Sequence, residues 1–127
     1  MPPPRTVLLV DDDEDVRTVL RELLELEGYD VVEAHHGQHA LQVLTRCRPC
    51  VLVLDMMMPV MDGWRFLDEV RARPELAQNL PIVVVSASRT LPAGPPVCAS
   101  LTKPFPPEVL LNALGPLCSP PGATSPG

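Results

Sequence analysis

Five residues whose side chains can do chemistry each stand at the end of a short apolar run. They are Asp11, Asp12, Asp55, Ser86 and Lys103. Clustered carboxylates repel one another unless a cation joins them or one of them takes up a proton. Mg²⁺ is held by one or two carboxylates and keeps positions for water and phosphate, whereas a dedicated calcium cage needs more oxygen ligands than this set offers. A lysine ammonium and a serine hydroxyl can hold phosphate oxygens. If the five side chains converge, they predict phosphoryl chemistry.

Asp55 is the best candidate for the reacting group in this set. A carboxylate can attack phosphorus and become an aspartyl phosphate. Asp55 ends the central apolar run, while Asp11 and Asp12 follow a neighbouring run and are predicted metal ligands. The alternative is that these are solvated residues at strand ends that never meet. Five matched positions favour convergence.

The runs that carry these residues have the length of strands and alternate with helical patterns. The predicted strands cover residues 7–10, 29–34, 51–54 and 82–85, with a weaker fifth at 101–102. After the first run, Asp13 can cap a helix whose apolar positions repeat at helical spacing until Gly28. This alternation predicts an α/β fold with a doubly wound parallel sheet between two helical layers. The carboxyl ends of parallel strands share one edge, where ligands bind.

The crossover before the last strand departs from this pattern. Fourteen residues lie between Ser86 and Leu101, among them Pro92, Gly94, Pro95 and Pro96. An interior proline costs a helix about 3 kcal/mol. We therefore expect the fourth helix to be shortened or missing.

Composition limits the class of protein. The chain has 127 residues, 46% of them hydrophobic and 20% charged, which is typical of one globular domain. Its net charge of -6 disfavours binding to nucleic acid. No apolar run approaches the roughly 20 residues that cross a bilayer, and the first residues do not form a secretory signal, so we expect no membrane association and a cytoplasmic location. Prolines at both ends predict flexible extensions at 1–4 and 119–127 around a domain at 5–118.

Three minor clusters have alternative interpretations. Cys47 and Cys50 have CxxC spacing, but they follow a helix instead of starting one, so we expect the four cysteines to be reduced thiols rather than a redox or metal site. His35 and His39 could bind a metal, although a surface loop and helix start is the preferred interpretation. The methionines at 56–58 and 61 are expected to fill the loop and core near the pocket.

Four segments in order resemble the receiver domain of bacterial two-component response regulators. They are residues 7–17, 54–63, 84–87 and 103–105, and the resemblance extends over about 5–118. A single such motif is weak, but all four on the expected elements are highly specific. The resemblance implies a flavodoxin-like fold with five parallel strands in the order 2-1-3-4-5.

The resemblance also implies a role for each site residue. Asp55 would accept a phosphoryl group from a histidine kinase or phosphorelay partner, and Ser86 and Lys103 would contact that group. Asp12 and Asp55 would bind Mg²⁺ directly, with Mn²⁺ as a possible substitute. Asp11 would act through water, and the backbone carbonyl of Met57 would be a further ligand. The Lys103–Pro104 peptide would be cis, which costs an X-Pro bond only about 0.5–1 kcal/mol.

Two departures from the family pattern leave alternatives open. Ser100 stands where such domains often carry an aromatic switch residue, and the segment from Ser86 to Lys103 is short. A degenerate receiver that binds protein partners without phosphorylation is therefore a second hypothesis. A turnover phosphatase is disfavoured, because Met57 occupies the position of its second acid.

As a receiver domain, the chain would promote its own phosphorylation and dephosphorylation, act through protein contacts, and be a monomer or weak dimer.

Overall fold

The protein is built around a five-stranded parallel sheet. A computed structural model describes residues 5–58, 61–88 and 90–118. The strands are β1 (Thr6–Val10), β2 (Asp30–Ala34), β3 (Val51–Asp55), β4 (Ile82–Ser86) and β5 (Val97–Thr102). Their order in the sheet is β2-β1-β3-β4-β5, and every neighbouring pair is parallel. The predicted fold and strand order are therefore confirmed. The predicted extensions at 1–4 and 119–127 lie outside the described residues, as do loop residues 59 and 60.

Within the described residues, five helices connect or flank these strands. They are α1 (Glu14–Leu26), α2 (Gly37–Leu44), α3 (Gly63–Arg71), the one-turn α4 (Pro74–Ala77) and α5 (Pro107–Leu114). Asp13 caps α1 by accepting hydrogen bonds from the backbone N–H groups of Asp15 and Val16. Gly28 adopts φ +90° just beyond α1, a conformation that favours glycine at the end of a helix. None of the described helices is long and apolar enough to cross a membrane.

The three inner strands, β1, β3 and β4, are buried on both faces, which explains why they are continuous apolar runs. Leu8, Leu52 and Val84 point to the layer of α2 and α3, where Phe66 and Leu67 pack. The neighbouring strand residues, such as Leu9, Val53 and Val83, point to the opposite face of the sheet. There they form a second core with Leu24 of α1 and Leu110 of α5. The predicted three-layer arrangement follows from these two cores.

The crossover from β4 to β5 contains no helix in its described part, residues 87–88 and 90–96. The short α4 lies before β4, so it does not replace the missing crossover helix. Arg71 at the end of α3 holds the proline-rich segment instead: its guanidinium donates to the carbonyls of Ala93 (2.9 Å), Gly94 (3.2 Å) and Pro95 (3.1 Å). The predicted loss of the fourth helix is confirmed.

Strand β5 begins at Val97, four residues earlier than the predicted fifth strand. The register with β4 shifts between Ile82 and Val83, whose partners are Val97 and Ala99, so Cys98 is an additional residue in β5. The small residues at 98–100 have a weak preference for strands, so the sequence pattern does not reveal this part of β5. Hydrogen bonding to the buried strand β4 stabilises it instead.

The expectation of four reduced thiols is wrong for Cys50 and Cys118. Their sulfur atoms are joined in a disulfide, with Cα atoms 5.4 Å apart. Cys47 and Cys98 are free cysteines. The pairing is hidden in the sequence because the partners are 68 residues apart and meet only when α5 packs beside β3.

Candidate functional site

The three predicted metal-binding aspartates meet at the carboxyl edge of the sheet. Val10 in β1 pairs with Leu54 in β3, so the residues that follow them, Asp11 and Asp55, are neighbours. One carboxylate oxygen each from Asp11, Asp12 and Asp55 lies within 4.8 Å of the others. Asp11 and Asp55 are buried, whereas Asp12 is exposed. The sheet register therefore produces the convergence that the sequence pattern predicted.

The hydrogen bonds of this cluster leave one carboxylate oxygen unsatisfied. Asp11 Oδ1 accepts from the backbone N–H of Asp13 (2.9 Å), and Asp55 Oδ1 accepts from that of Met57 (3.1 Å). Asp11 Oδ2 is buried and accepts no hydrogen bond from the described residues. A buried carboxylate oxygen without a donor is costly, and a bound cation would relieve that cost. The donor set, which contains only oxygen, fits a hard divalent ion.

Lys103 supplies the positive charge that faces the carboxylates. Its Nζ lies 3.6 Å from Asp11 Oδ2 and 3.8 Å from Asp55 Oδ1, beyond ordinary hydrogen-bond distance. Its backbone N–H donates to the carbonyl of Ser86 (2.8 Å), which fixes the start of the β5–α5 connection beside β4. The Lys103–Pro104 peptide is cis, as the resemblance implied. The loosely paired ammonium remains able to bind an incoming anion.

The electrostatics of the pocket make Asp55 bind a proton more tightly than an ordinary aspartate in the metal-free protein. Its pKa is raised to about 6: burial is the largest cause and the carboxylates of Asp11 and Asp12 act in the same direction, while the Met57 N–H and Lys103 oppose the shift. A divalent cation would reverse the balance by compensating the negative charge. The pocket is therefore arranged for a bound cation or an additional proton.

Ser86 lies at the end of β4, fully buried and one residue beyond the partner of Asp55. Its Oγ accepts from the backbone N–H of Ser88 (3.1 Å), which leaves the hydroxyl proton free to be donated. Met57 carries the N–H that binds Asp55, and its side chain is exposed. That the Met57 carbonyl binds metal stays a prediction.

Arg17 contacts this site although it was not identified from the sequence. Its Nη1 donates to the backbone carbonyl of Asp11 (2.7 Å), and its Nε donates to Glu33 Oε1 (3.0 Å). Arg21 donates to the other Glu33 oxygen (2.6 Å). Arg17 is 6% exposed, and it lies seven residues before buried Leu24 on the same helical face. A charged residue on an apolar helical face was the signal that could have revealed it.

Glu33 is the anion that compensates both arginines. Burial by itself raises its pKa, but hydrogen bonds from Arg21 and Arg17, together with their charges, outweigh burial and lower it. Glu33 therefore stays ionised beside Arg17, and the ion pair connects α1 and β2 to the backbone of Asp11.

The methionines and histidines near the pocket are structural. Met56, Met58 and Met61 are buried as predicted, and a Cβ on Gly63 would collide with Met56. The rings of His35 and His39 stack with centroids 4.9 Å apart, and the Nδ1 atom of His39 accepts from the backbone N–H of His35. In the described part of the chain, the three aspartates are the only group of three or more potential metal-binding His, Cys, Asp or Glu residues that converge.

Curated relatives of this chain are longer regulators. Response regulator MprA of Mycobacterium ulcerans is 43% identical over 81 residues, which make up 64% of this chain and 34% of that protein. The probable transcriptional regulator ycf27 of Porphyridium aerugineum is 36% identical over 81 residues, or 64% of this chain and 32% of the relative. The chain thus aligns with about a third of each relative's length.

Solved structures match nearly the whole fold. The chemotaxis protein CheY4 of Vibrio cholerae superposes with a TM-score of 0.77 at 31% identity, covering 91% of this chain and 99% of that one. A putative response regulator from Chloroflexus aurantiacus gives 0.80 at 30% identity, covering 93% and 100%. The family model described as "Response regulator receiver domain" matches residues 7–115. The chain therefore belongs to the response regulator receiver domain family.

Proposed function

We propose that this receiver domain accepts a phosphoryl group on Asp55 from the phosphohistidine of a histidine kinase or phosphorelay protein. The observation that carries the proposal is the buried, incompletely compensated carboxylate pair with Lys103 Nζ 3.6–3.8 Å away. Ionised Asp55 attacks phosphorus, the bond from phosphorus to the donor imidazole breaks, and the imidazole takes up a proton. The product is an aspartyl phosphate.

The surrounding residues have separate roles in this step. Asp12 and Asp55 would hold Mg²⁺, with Asp11 acting through water and the Met57 carbonyl as a further ligand. When bound, Mg²⁺ would neutralise the carboxylates and the incoming phosphate. Lys103 would pair with a phosphoryl oxygen, and the free proton of Ser86 would be donated to another.

Receiver domains are generally signalling modules rather than turnover enzymes. We propose that this chain promotes its own phosphorylation and dephosphorylation and signals through protein contacts. The alternative of a receiver that works without phosphorylation is not favoured, because all five site residues are present and the three aspartates converge.

The test is phosphorylation of the purified chain by a small acyl phosphate with Mg²⁺, followed by intact mass spectrometry. We expect a gain of one phosphoryl group that is lost in Asp55→Asn and on chelation of the metal. Asp68→Asn is the matched control, since Asp68 is an exposed aspartate on α3. Absence of any gain over the whole range of donor concentrations would refute the proposal.

The phosphodonor is proposed to dock on an apolar groove beside the pocket. The groove has a volume of about 300 Å³ and is lined by Val16, Val19, Leu20, Leu23, Lys103, Pro104, Phe105 and Pro107. Lys103 lines the groove and also faces Asp55, so a partner seated there would present its phosphohistidine to the acceptor. Val19 is 64% exposed and is contiguous with other apolar side chains of the groove, and an exposed apolar patch beside a polar pocket is typical of a protein interaction site.

Val19→Glu is expected to reduce phosphotransfer from autophosphorylated histidine kinases at least tenfold, because a charge would be buried in the docked interface. Phosphorylation by the small donor should be unchanged. Leu26→Glu is the control: it makes the same kind of change on α1, seven residues away from Val19. Equal effects of the two substitutions on phosphotransfer would count against the groove.

A further inference from the structure

The Cys50–Cys118 pair lies at the edge of the sheet opposite the aspartates. Cys50 immediately precedes β3, whose other end is Asp55, and Cys118 follows the last turn after α5. Their Cα separation of 5.4 Å is within the usual range for a disulfide. The bond therefore joins the end of α5 to the start of the central strand.

The two sulfur atoms differ in their access to solvent. Cys118 is only 2% exposed and packs in the core beneath α5. Cys50 is partly exposed and lines an open cavity of about 480 Å³, together with Pro81, Cys98 and Leu117. A small thiol entering this cavity would reach the Cys50 sulfur first, which makes Cys118 the leaving group.

Both redox states fit the surrounding structure. The Cys50 Sγ atom lies 3.2 Å from the carbonyl oxygen of Thr6, so a reduced Cys50 thiol has a hydrogen-bond acceptor in place. Reduced Cys118 would remain among apolar side chains such as Leu114, and a free cysteine behaves there as a small hydrophobe. Opening the bond therefore leaves no buried polar group without a partner.

We propose that Cys50–Cys118 is a reversible thiol–disulfide exchange site for small thiols and disulfides of the glutathione class. A thiolate attacks Cys50 Sγ, the bond between Cys50 and Cys118 breaks, and Cys118 leaves as a thiolate that takes up a proton. A second thiolate then attacks the small molecule's sulfur in the mixed disulfide, the bond from that sulfur to Cys50 Sγ breaks, and Cys50 leaves as a thiolate that takes up a proton, which releases the small disulfide. In sum, the protein disulfide and two thiols give the protein dithiol and one small disulfide. The reverse reaction oxidises the protein.

The consequence of exchange is local to the end of α5. Reduction removes the covalent link that holds residues 115–118 against β3, while Leu110 and Leu114 keep α5 packed on the sheet. Intracellular disulfides of this kind are usually transient and redox-responsive. The site does not depend on phosphorylation of Asp55, which lies at the other end of β3.

The experiment equilibrates the full chain with graded mixtures of reduced and oxidised glutathione. The reaction is quenched with acid, and free thiols are alkylated under denaturing conditions and located by peptide mass spectrometry. In oxidising mixtures we expect only Cys47 and Cys98 to be alkylated, and in reducing mixtures all four cysteines. Cys50 and Cys118 should become reactive together in one transition.

Two single variants test which sulfur is attacked. Cys118→Ser should accumulate glutathione on Cys50, because the cavity is open and no second thiol resolves the mixed disulfide. Cys50→Ser should leave buried Cys118 largely unmodified, and Cys98→Ser should leave the wild-type transition unchanged. The wild-type titration needs no variant, so it remains decisive if a variant fails to fold.

Several outcomes would overturn the proposal. Alkylation of Cys50 and Cys118 in every mixture would show that no disulfide forms, and protection of both in every mixture would show a bond that does not exchange. A linkage between Cys50 and Cys98 would contradict the assigned pair. Equal glutathionylation of the Cys50→Ser and Cys118→Ser variants would contradict the order of attack.

Discussion

At the scale of single residues, the central feature is a buried carboxylate held in an unfavourable environment. Asp55 is 4% exposed, stands beside two other carboxylates, and has a pKa raised to about 6. Asp11 Oδ2 is buried close to it without a hydrogen-bond donor among the described residues. The metal-free protein thus carries an electrostatic cost that a cation or a phosphoryl–cation pair would relieve.

Asp55→Asn is expected to stabilise the metal-free protein in a pH-dependent way. Because the folded pKa of Asp55 exceeds its ordinary value of 3.8, the folded state binds this proton more tightly, and wild-type stability falls as pH rises from about 4 through 6. Asparagine removes this loss, so the variant should be more stable by about 1–3 kcal/mol above pH 7. The gain should shrink towards pH 4. Urea unfolding at several pH values in a chelator measures it.

The control for this prediction is Asp68→Asn, which removes an exposed charge far from the pocket. An advantage of Asp55→Asn that had the same size at pH 4.5 and pH 7.5 would contradict the assigned ionisation.

Arg17→Met is expected to weaken both the fold and the metal site. The substitution removes the hydrogen-bond donor to the Asp11 carbonyl and one of the two arginines that pair with the Glu33 carboxylate. The free energy of unfolding should fall by about 2–4 kcal/mol. It should also lower affinity for Mg²⁺, because the Asp11 backbone loses its support. Urea unfolding and calorimetric titration with Mg²⁺ measure the two effects.

Arg21→Met is the matched control for Arg17. It removes the other arginine from Glu33, is partly exposed, and leaves the Asp11 carbonyl contact intact. We expect a loss of no more than about 1 kcal/mol and unchanged affinity for Mg²⁺. If both variants lost the same metal affinity, Arg17 would have no positioning role.

At the scale of elements, the unusual feature is a crossover held by one side chain instead of a helix. Arg71 donates to three carbonyls of the segment that leads into β5, and this segment has few N–H groups of its own because it contains three prolines. The surface beside β5 is therefore formed by an irregular segment instead of a helix.

Arg71→Met is expected to loosen the start of β5. Loss of about 1 kcal/mol of charge-assisted hydrogen bonding at this exposed site should reduce the hydrogen-exchange protection of the Val97 amide about fivefold. That amide donates to the Gly94 carbonyl, which Arg71 holds. Arg73→Met is the control, because among the described residues the guanidinium of Arg73 bonds only to Glu69. Unchanged protection of Val97 would show that the prolines alone fix the crossover.

At the scale of the whole molecule, we expect metal binding and folding to be linked. A cation that binds the aspartate cluster only in the folded state stabilises it by about 2.7 kcal/mol at a hundred times its dissociation constant. We expect Mg²⁺ to raise the melting temperature of the wild type, and to raise it much less in Asp12→Asn. Asp15→Asn changes the charge equally, close by but outside the cluster, and should respond like the wild type. A Mg²⁺ response retained in Asp12→Asn would remove Asp12 from the ligand set.

The sequence by itself determined the parallel sheet and the residues at its carboxyl edge, and its resemblance to receiver domains implied the order of the strands. Buried parallel strands need continuous apolar runs, and the apolar runs of β1, β3 and β4 each lead to a polar residue, so local pattern was enough to place Asp11, Asp55 and Ser86 at the same edge of the sheet. The missing crossover helix was predicted for the same reason, since the effect of proline on a helix is local.

Only the tertiary structure decided which distant side chains meet. The contact of Arg17 with the Asp11 carbonyl depends on how α1 lies on the sheet, and the hold of Arg71 on the crossover depends on where α3 ends. The start of β5 at Val97 required β4 as a pairing partner. Cys50 and Cys118 meet because α5 returns to the start of β3, and no local pattern encodes a contact across 68 residues. Periodicity reports which face of an element is buried, whereas the packing of one element on another selects the atoms that touch.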